Sequence, residues 1–202
     1  DYGVPAQTFE SLLSGGALST ELPQVSGDLP AYLIYTSGTT GRPKATMIAH
    51  RAFVNMIDDT IRVLHMGPGD CTGQFFSLSF DASLQEIGLG LLSGSSLMIA
   101  GEDIRANPDA WPAWARDAGI TVALLPPSFL QLIDRQKMPE LRILFTGGEP
   151  AVPEDATWYG GRLRYLNGYG PTECAVLATM YQAEAGLDYR EFVKVDTDLY
   201  RP

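Results

Sequence analysis

The chain is expected to fold as an α/β protein, a layered and mostly parallel β-sheet with flanking helices, and three features predict this. Short β-branched and aromatic runs recur along it, stretches with helical apolar spacing separate them, and the runs end repeatedly in glycine-rich turns. In sheets of this kind ligands gather at the carboxyl ends of the strands.

Ala31 to Thr36 (AYLIYT) is expected to be a buried strand that runs into Ser37-Gly38-Thr39-Thr40-Gly41. From His50 to His65 the apolar residues Phe53, Val54, Ile57, Ile61 and Leu64 fall at helical spacing, and Gly67-Pro68-Gly69 ends the pattern. Gln74 to Ser79 predicts a strand, Ala82 to Leu92 a helix, and Ser95 to Ala100 a strand leading to Gly101. Asn107-Pro108 has the cap-then-proline order of a helix start, with Trp111, Trp114, Ala115 and Ala118 as its apolar stripe. Thr121 to Leu125 follows as a strand, and Pro126-Pro127 opens a helix carrying Phe129, Leu130, Leu132 and Ile133. Leu141 to Phe145 and Leu163 to Leu166 complete the strands, ending in Thr146-Gly147-Gly148 and Asn167-Gly168-Tyr169-Gly170. The chain thus divides into a lead-in segment over 1–30, a core over 31–186, and a tail over 187–202 that reads as loop, with one strand at Glu191 to Val195, displaced or discontinuous from the core.

Composition bounds the function. Of 202 residues, 45% are hydrophobic and 19% charged, enough apolar side chain to build a core. A net charge of −10 repels phosphate backbones and anionic membrane surfaces at long range, so neither nucleic acid nor membrane is an expected partner. A local site for a small anion survives, because backbone amides and one lysine can outweigh distant charge. Cys71 and Cys174 form no CxxC pair, which points away from a zinc site or a disulfide framework and towards a reducing compartment. With no leader peptide and no apolar run of about 18 residues, a cytoplasmic location is expected. The polar opening, and the stop at Tyr200-Arg201-Pro202 without a finishing element, read as an excised piece.

The segment Thr36-Ser37-Gly38-Thr39-Thr40-Gly41-Arg42-Pro43-Lys44 can wrap a phosphate: glycine lets the backbone approach, hydroxyls and amides donate, and the ammonium adds charge. It is not a GxxxxGK[ST] loop, because Pro43 replaces the glycine before the lysine and Ala45 the hydroxyl after it. Taken alone, it also fits a flexible connector. Asp81, between Phe80 and Ala82 at a helix start, is either a helix cap or a carboxylate awaiting a cation. Glu173, alone, is a turn carboxylate, and Tyr169 a core aromatic. His50 and His65 are isolated and are assigned no role.

TSGTTGRPK resembles the phosphate-binding signature of the adenylate-forming superfamily, which comprises acyl-CoA synthetases, luciferases and the adenylation domains of nonribosomal peptide synthetases. Phe80-Asp81-Ala82-Ser83, Thr146-Gly147-Gly148-Glu149 and Asn167-Gly168-Tyr169-Gly170-Pro171-Thr172-Glu173 resemble further motifs in the family's order. The likeness runs from about Leu33 to Thr179, and FDAS tilts it towards the peptide synthetase domains. It implies part of the large N-terminal subdomain of such an enzyme, a ligase that uses ATP and magnesium to make an aminoacyl-AMP for a carrier-protein phosphopantetheine thiol in antibiotic peptide synthesis.

Carried over by residue, the resemblance implies that Thr36, Ser37, Gly38, Thr39, Thr40 and Lys44 surround the β- and γ-phosphates, with Lys44, Thr172 and Glu173 catalytic. Glu173 would hold magnesium and Thr172 would donate to the α-phosphate. Gly147, Gly148, Glu149 and Pro150 would line the nucleotide, together with Gly168 and Gly170; Tyr169 would stack on adenine, and Asn167 would face its amino edge. Asp81 would grip an α-ammonium, and Ala82, Gln85, Leu124, Phe145, Gly147, Gly168, Val176 and Leu177 would line the side-chain pocket. That lining holds no cation for an acidic side chain and no second carboxylate for a basic one, so a neutral side chain is expected, with one polar contact from Gln85. Ala45 departs from the family's glycine. The tail DTDLYRP resembles the start of the YRTGD signature but reaches Pro202 without the ribose-binding aspartate, the hinge or the C-terminal catalytic lysine. Two other readings stand beside this one: a truncated, noncatalytic scaffold that docks a neighbouring domain or a small activator protein, and an acyl- or aryl-CoA ligase, which has no need of Asp81.

Overall fold

The computed structural model describes residues 24–36 and 43–187. The loop residues Ser37, Gly38, Thr39 and Thr40, and the strand expected at Glu191 to Val195, lie outside the described residues.

Two strands, β1 (Pro30–Thr36) and β2 (Lys44–Ala49), form an antiparallel hairpin of their own. The pair Thr36↔Lys44 closes its tip, with the Thr36 hydroxyl donating to the Lys44 carbonyl at 3.4 Å. The sequence predicts β1 to be buried; instead it is half-buried, with Tyr35 67% exposed, because a two-stranded ribbon is covered on one face only. β2 is a strand where the sequence reading assigns no element beyond the end of the loop at Lys44. α1 (His50–Leu64) follows it directly, buries Met56, Ile57, Thr60 and Leu64, and ends where His65 adopts the left-handed conformation at φ 52°.

The main sheet has six strands in the order β4-β3-β5-β6-β7-β8. β3 (Cys71–Gln74), β4 (Ser96–Ile99), β5 (Val122–Leu125), β6 (Ile143–Gly147) and β7 (Arg164–Tyr169) are parallel, and β8 (Thr179–Gln182) is antiparallel to β7. α2 (Ala82–Leu92) joins β3 to β4; α3 (Glu102–Arg105) and α4 (Trp111–Asp117) join β4 to β5. α5 (Pro127–Leu130) and α6 (Pro153–Tyr159) complete the crossovers. The helix expected from Asn107 begins later, at Trp111, because Asn107 turns back to accept from the amides of Asp109 and Ala110.

The strand expected at Gln74 to Ser79 ends at Gln74 instead. Its interior is polar and small, with Thr72 and Gln74 buried, whereas the aromatic pair Phe75-Phe76 that suggested a strand belongs to the connection beyond it. The strand alternation sorts the core into two layers. Val122, Leu124, Ile143, Phe145 and Leu166 face α1 and α2, packing with Met56, Ile57 and Leu89. Ala123, Leu125, Leu144 and Tyr165 face the opposite way and pack with Trp111, Ala115, Leu130, Ala156 and Tyr159 of α4, α5 and α6. Helices therefore cover both faces, as the strand–helix alternation predicts.

The amino ends of the strands are fastened by charge. Arg142 makes a bidentate pair with Asp70, at 2.8 and 2.6 Å, and donates to the Leu64 carbonyl at 2.9 Å, tying the end of α1 beneath the sheet. Burial pushes the Asp70 carboxyl up, but hydrogen bonds from Arg142, Gly67 and Thr121 outweigh it and hold the group below its ordinary range. Among the described residues, no helix is long and apolar enough to cross a membrane.

Candidate active site

The strand order makes a switch point. The crossover from β3 leads outward to β4, the next element enters on the other side of β3 as β5, and β6 and β7 continue in that direction. At such a reversal the crossovers diverge and leave a crevice beyond the carboxyl ends. A cavity of about 630 Å³ lies there, within the size range of ligand pockets.

Its floor follows from the pleat and the register. Leu124 pairs with Phe145, Phe145 with Leu166, and Gly147 with Gly168, so Leu124, Phe145, Gly147 and Gly168 point to one face at the ends of adjacent strands. Asp81 comes from just before α2, Ala82 and Gln85 from its first turn, and Val176 and Leu177 from the loop before β8. The cavity therefore contains every residue that the sequence assigned to amino-acid binding. Gly168 makes this packing possible: a β-carbon there would stand 2.5 Å from Phe145 Cζ and 2.7 Å from Leu177 Cδ1. Gly148, at φ +77°, turns the chain sharply off β6, and Gly148, Glu149 and Gly170 also line the cavity.

Asp81 precedes α2 at φ −65° and ψ −24°, and its side chain makes no capping hydrogen bond. It has no ion-pair partner among the described residues. Its charge is felt by Tyr32, whose hydroxyl is pushed up to about 12 by burial first and by Asp81 second. The cap, one of the two alternatives expected for Asp81, is therefore not formed. Gln85 is 3% exposed, and its Nε2 has no hydrogen-bond partner. Glu149 accepts from the Ser128 amide and hydroxyl, both at 2.8 Å.

Several expected residues do not line this cavity. Thr36, Lys44, Pro150, Asn167, Tyr169, Thr172 and Glu173 are all outside its lining. The Asn167 amide donates to Thr146 Oγ1 at 3.1 Å, because alternation turns it to the face opposite Gly168. Tyr169, at the end of β7, is 60% exposed. Glu173, exposed on the 3₁₀ turn Thr172–Cys174, borders a second cleft of about 570 Å³ with Ile48 of β2 and with Met56 and Asp59 of α1. β2 packs against this turn, so the strand that begins at Lys44 and the turn that carries Glu173 are neighbours rather than opposite ends of the molecule.

The lining also includes residues that sequence reasoning missed: Phe75, Phe76 and Ser77 after β3, Leu125 and Pro126 at the end of β5, and Glu102 and Arg105 on α3. Arg105, Glu102 and Glu149 bring charges to the cavity beyond the residues expected to line its side-chain pocket. These segments all follow strand carboxyl ends, so the rule that ligands gather there was the available signal. Placing Phe75 to Ser79 inside a strand concealed part of it.

Glu173 fits a magnesium ion by its donor chemistry. It is an exposed hard oxygen ligand with no hydrogen-bond or ion-pair partner among the described residues. No group of three or more His, Cys, Asp or Glu that could hold a metal occurs among those residues. A lone carboxylate suits magnesium, which takes one or two carboxylates and fills its remaining positions from phosphate and water.

Comparison with known proteins bears on the same region. The family of AMP-binding enzymes matches residues 4–195. Tyrocidine synthase 2 of Brevibacillus parabrevis is 37% identical over 156 residues, which is 76% of this chain and 4% of that protein. The adenylation domain AlmE of Vibrio cholerae, solved with glycyl-adenosine-5'-phosphate, superposes with a TM-score of 0.73 at 26% identity over 80% of this chain and 32% of its own. The nonribosomal peptide synthetase FmoA3, solved in an AMPPNP-bound form, gives a TM-score of 0.71 at 28% identity over 81% of this chain and 18% of its own. The chain thus spans a small part of the relatives it matches.

Proposed function

Because the chain belongs to the AMP-binding enzyme family, we propose that it is the substrate-binding part of an ATP-dependent ligase that activates an α-amino acid as its aminoacyl-AMP within a nonribosomal peptide synthetase. The observation that carries this reading is Asp81, a carboxylate that lines a mostly apolar cavity at the strand ends with neither a capping bond nor an ion pair among the described residues. Desolvating a carboxylate without a counter-charge is costly, and a substrate ammonium supplies that charge. An aryl or acyl acid would leave Asp81 unmatched, which favours the amino acid over the CoA-ligase reading.

The side chain of the substrate is neutral in this proposal. Leu124, Phe145, Val176 and Leu177 offer apolar contact, Glu102 and Arg105 add one charge of each sign at α3, and the Glu149 carboxylate is engaged by the Ser128 amide and hydroxyl. Gln85 brings an unpaired amide nitrogen, so a side chain with one hydrogen-bonding group is best matched.

In the reaction, a carboxylate oxygen of the amino acid attacks the α-phosphorus of ATP, the bond to pyrophosphate breaks, and the aminoacyl-AMP remains for transfer to a carrier-protein thiol. Asp81 fixes the ammonium, and the cavity floor orients the side chain and excludes water. Thr172 donates to the phosphate, and Lys44 with its loop neutralises phosphate charge. Glu173 would hold magnesium, which supplies further charge neutralisation when bound. The test is amino-acid-dependent exchange of radiolabelled pyrophosphate into ATP, using the full-length polypeptide that carries this chain and a panel of amino and aryl acids. Exchange with one or a few neutral amino acids is expected; exchange with aryl acids alone, or with nothing, overturns the reading.

A further inference from the structure

Glu86 is fully buried, yet it lies one residue beyond Gln85 on the helix that forms a wall of the cavity. Alternation around the helix turns it away from the ligand space and towards the end of β3. There its two oxygens accept from three donors: the Phe75 amide at 2.9 Å, the Phe76 amide at 3.0 Å, and Gln74 Nε2 at 3.2 Å. The Gln74 side chain also donates to the Phe76 carbonyl, so one carboxyl and one carboxamide bracket a two-residue segment. That segment is the turn that places Phe75, Phe76 and Ser77 against the cavity.

A buried acid is a poor way to gain stability. Burial pushes Glu86 up to about 8, against the pull of the Phe75, Phe76 and Gln74 hydrogen bonds and of Arg105. An apolar residue of similar volume would fill the same space without that cost. What the carboxyl provides is shape, because adjacent backbone amides that point away from any strand partner need acceptors, and a carboxyl with two oxygens serves both. Phe75 then packs on Phe129 with ring centroids 4.6 Å apart, and edge-on against Phe76 at 5.8 Å. The aromatic wall is thus assembled from its backbone outward.

We propose that Glu86 is a positioning residue for amino-acid recognition: its carboxyl staples the turn after β3 to α2 and so sets the distance between the Phe75–Ser77 wall and the Asp81–Gln85 face. This rests on the amino-acid reading above. It sets Glu86 apart from the Gly147–Pro150 turn, which the same reading gives to the nucleotide.

The experiment measures pyrophosphate exchange in the full-length polypeptide and in its Glu86→Gln and Glu86→Asp variants, with KM determined separately for amino acid and for ATP. Glu86→Gln keeps one acceptor but sets an amide donor against backbone N–H groups. It should raise the amino-acid KM about tenfold or more, the scale of one buried donor left unsatisfied, with the ATP KM within about twofold of the parent. Glu86→Asp retains the carboxyl but withdraws it by one methylene, and an intermediate rise is expected. If Glu86→Gln does not fold, Glu86→Asp decides by the same split. Equal changes in both KM values, or an unchanged amino-acid KM in a folded variant, overturn the proposal. A parent polypeptide that shows no amino-acid-dependent exchange removes instead the function on which it rests.

Discussion

Replacing Gly168 with alanine probes the floor of the cavity with a single methyl group. The added β-carbon would stand 2.5 Å from Phe145 Cζ, 2.7 Å from Phe145 Cε1 and 2.7 Å from Leu177 Cδ1. Ordinary carbon contacts are about 3.5–4.0 Å, so the ring and the leucine must each retreat by roughly 1 Å. Phe145 is 3% exposed and is packed between Leu124 and Leu166 of the neighbouring strands, so its free direction is into the cavity. Overpacking of this kind costs about 1–3 kcal/mol. If the cost falls on the ligand-bound state, amino-acid affinity drops roughly 5- to 150-fold; if it falls on the fold, melting drops by several degrees. The assay pairs thermal melting with the amino-acid KM in pyrophosphate exchange. A Gly168→Ala protein unchanged in both would refute the close packing of Gly168, Phe145 and Leu177.

Removing Arg142 should destabilise without touching the site: Arg142→Leu leaves Asp70, 9% exposed, without its bidentate partner, and urea unfolding should register a loss of about 3 kcal/mol. The same pair fixes the acid limb of stability. The Asp70 carboxyl is held below its unfolded value of about 3.9, so its contribution is present above that pH and is lost as pH falls through the lower folded value. Unfolding curves across the acid range should therefore be less steep in pH for Asp70→Asn than for the parent.

Much of the architecture was legible because strand runs and glycine turns alternate with helical spacing, and the pleat then brings Leu124, Phe145 and Gly168 to one face whatever the precise strand ends are. The differences have separate physical origins. AYLIYT looks like a core strand, but its apolar residues serve a hairpin ribbon with one wet face. β3 is too polar to announce itself, since Thr72 and Gln74 are buried by their place in the sheet rather than by their character. α6 has only seven residues, too few for a helical period to stand out, although Pro153 opens it and Glu154 and Asp155 suit its first turn. Arg105 reached the cavity through a one-turn helix that begins after Gly101, and the placement of so short an element is decided by tertiary contacts that no periodicity encodes.

The most direct test of the account is the binding of the activated amino acid against its des-amino analogue, the same carboxylic acid lacking the α-amino group, by calorimetry on the full-length polypeptide and on Asp81→Ala. The parent should prefer the amino acid by about 30-fold or more, the scale of a desolvated charge pair, and Asp81→Ala should lose this preference. Equal binding of the two acids by the parent, or an undiminished preference in Asp81→Ala, would contradict it.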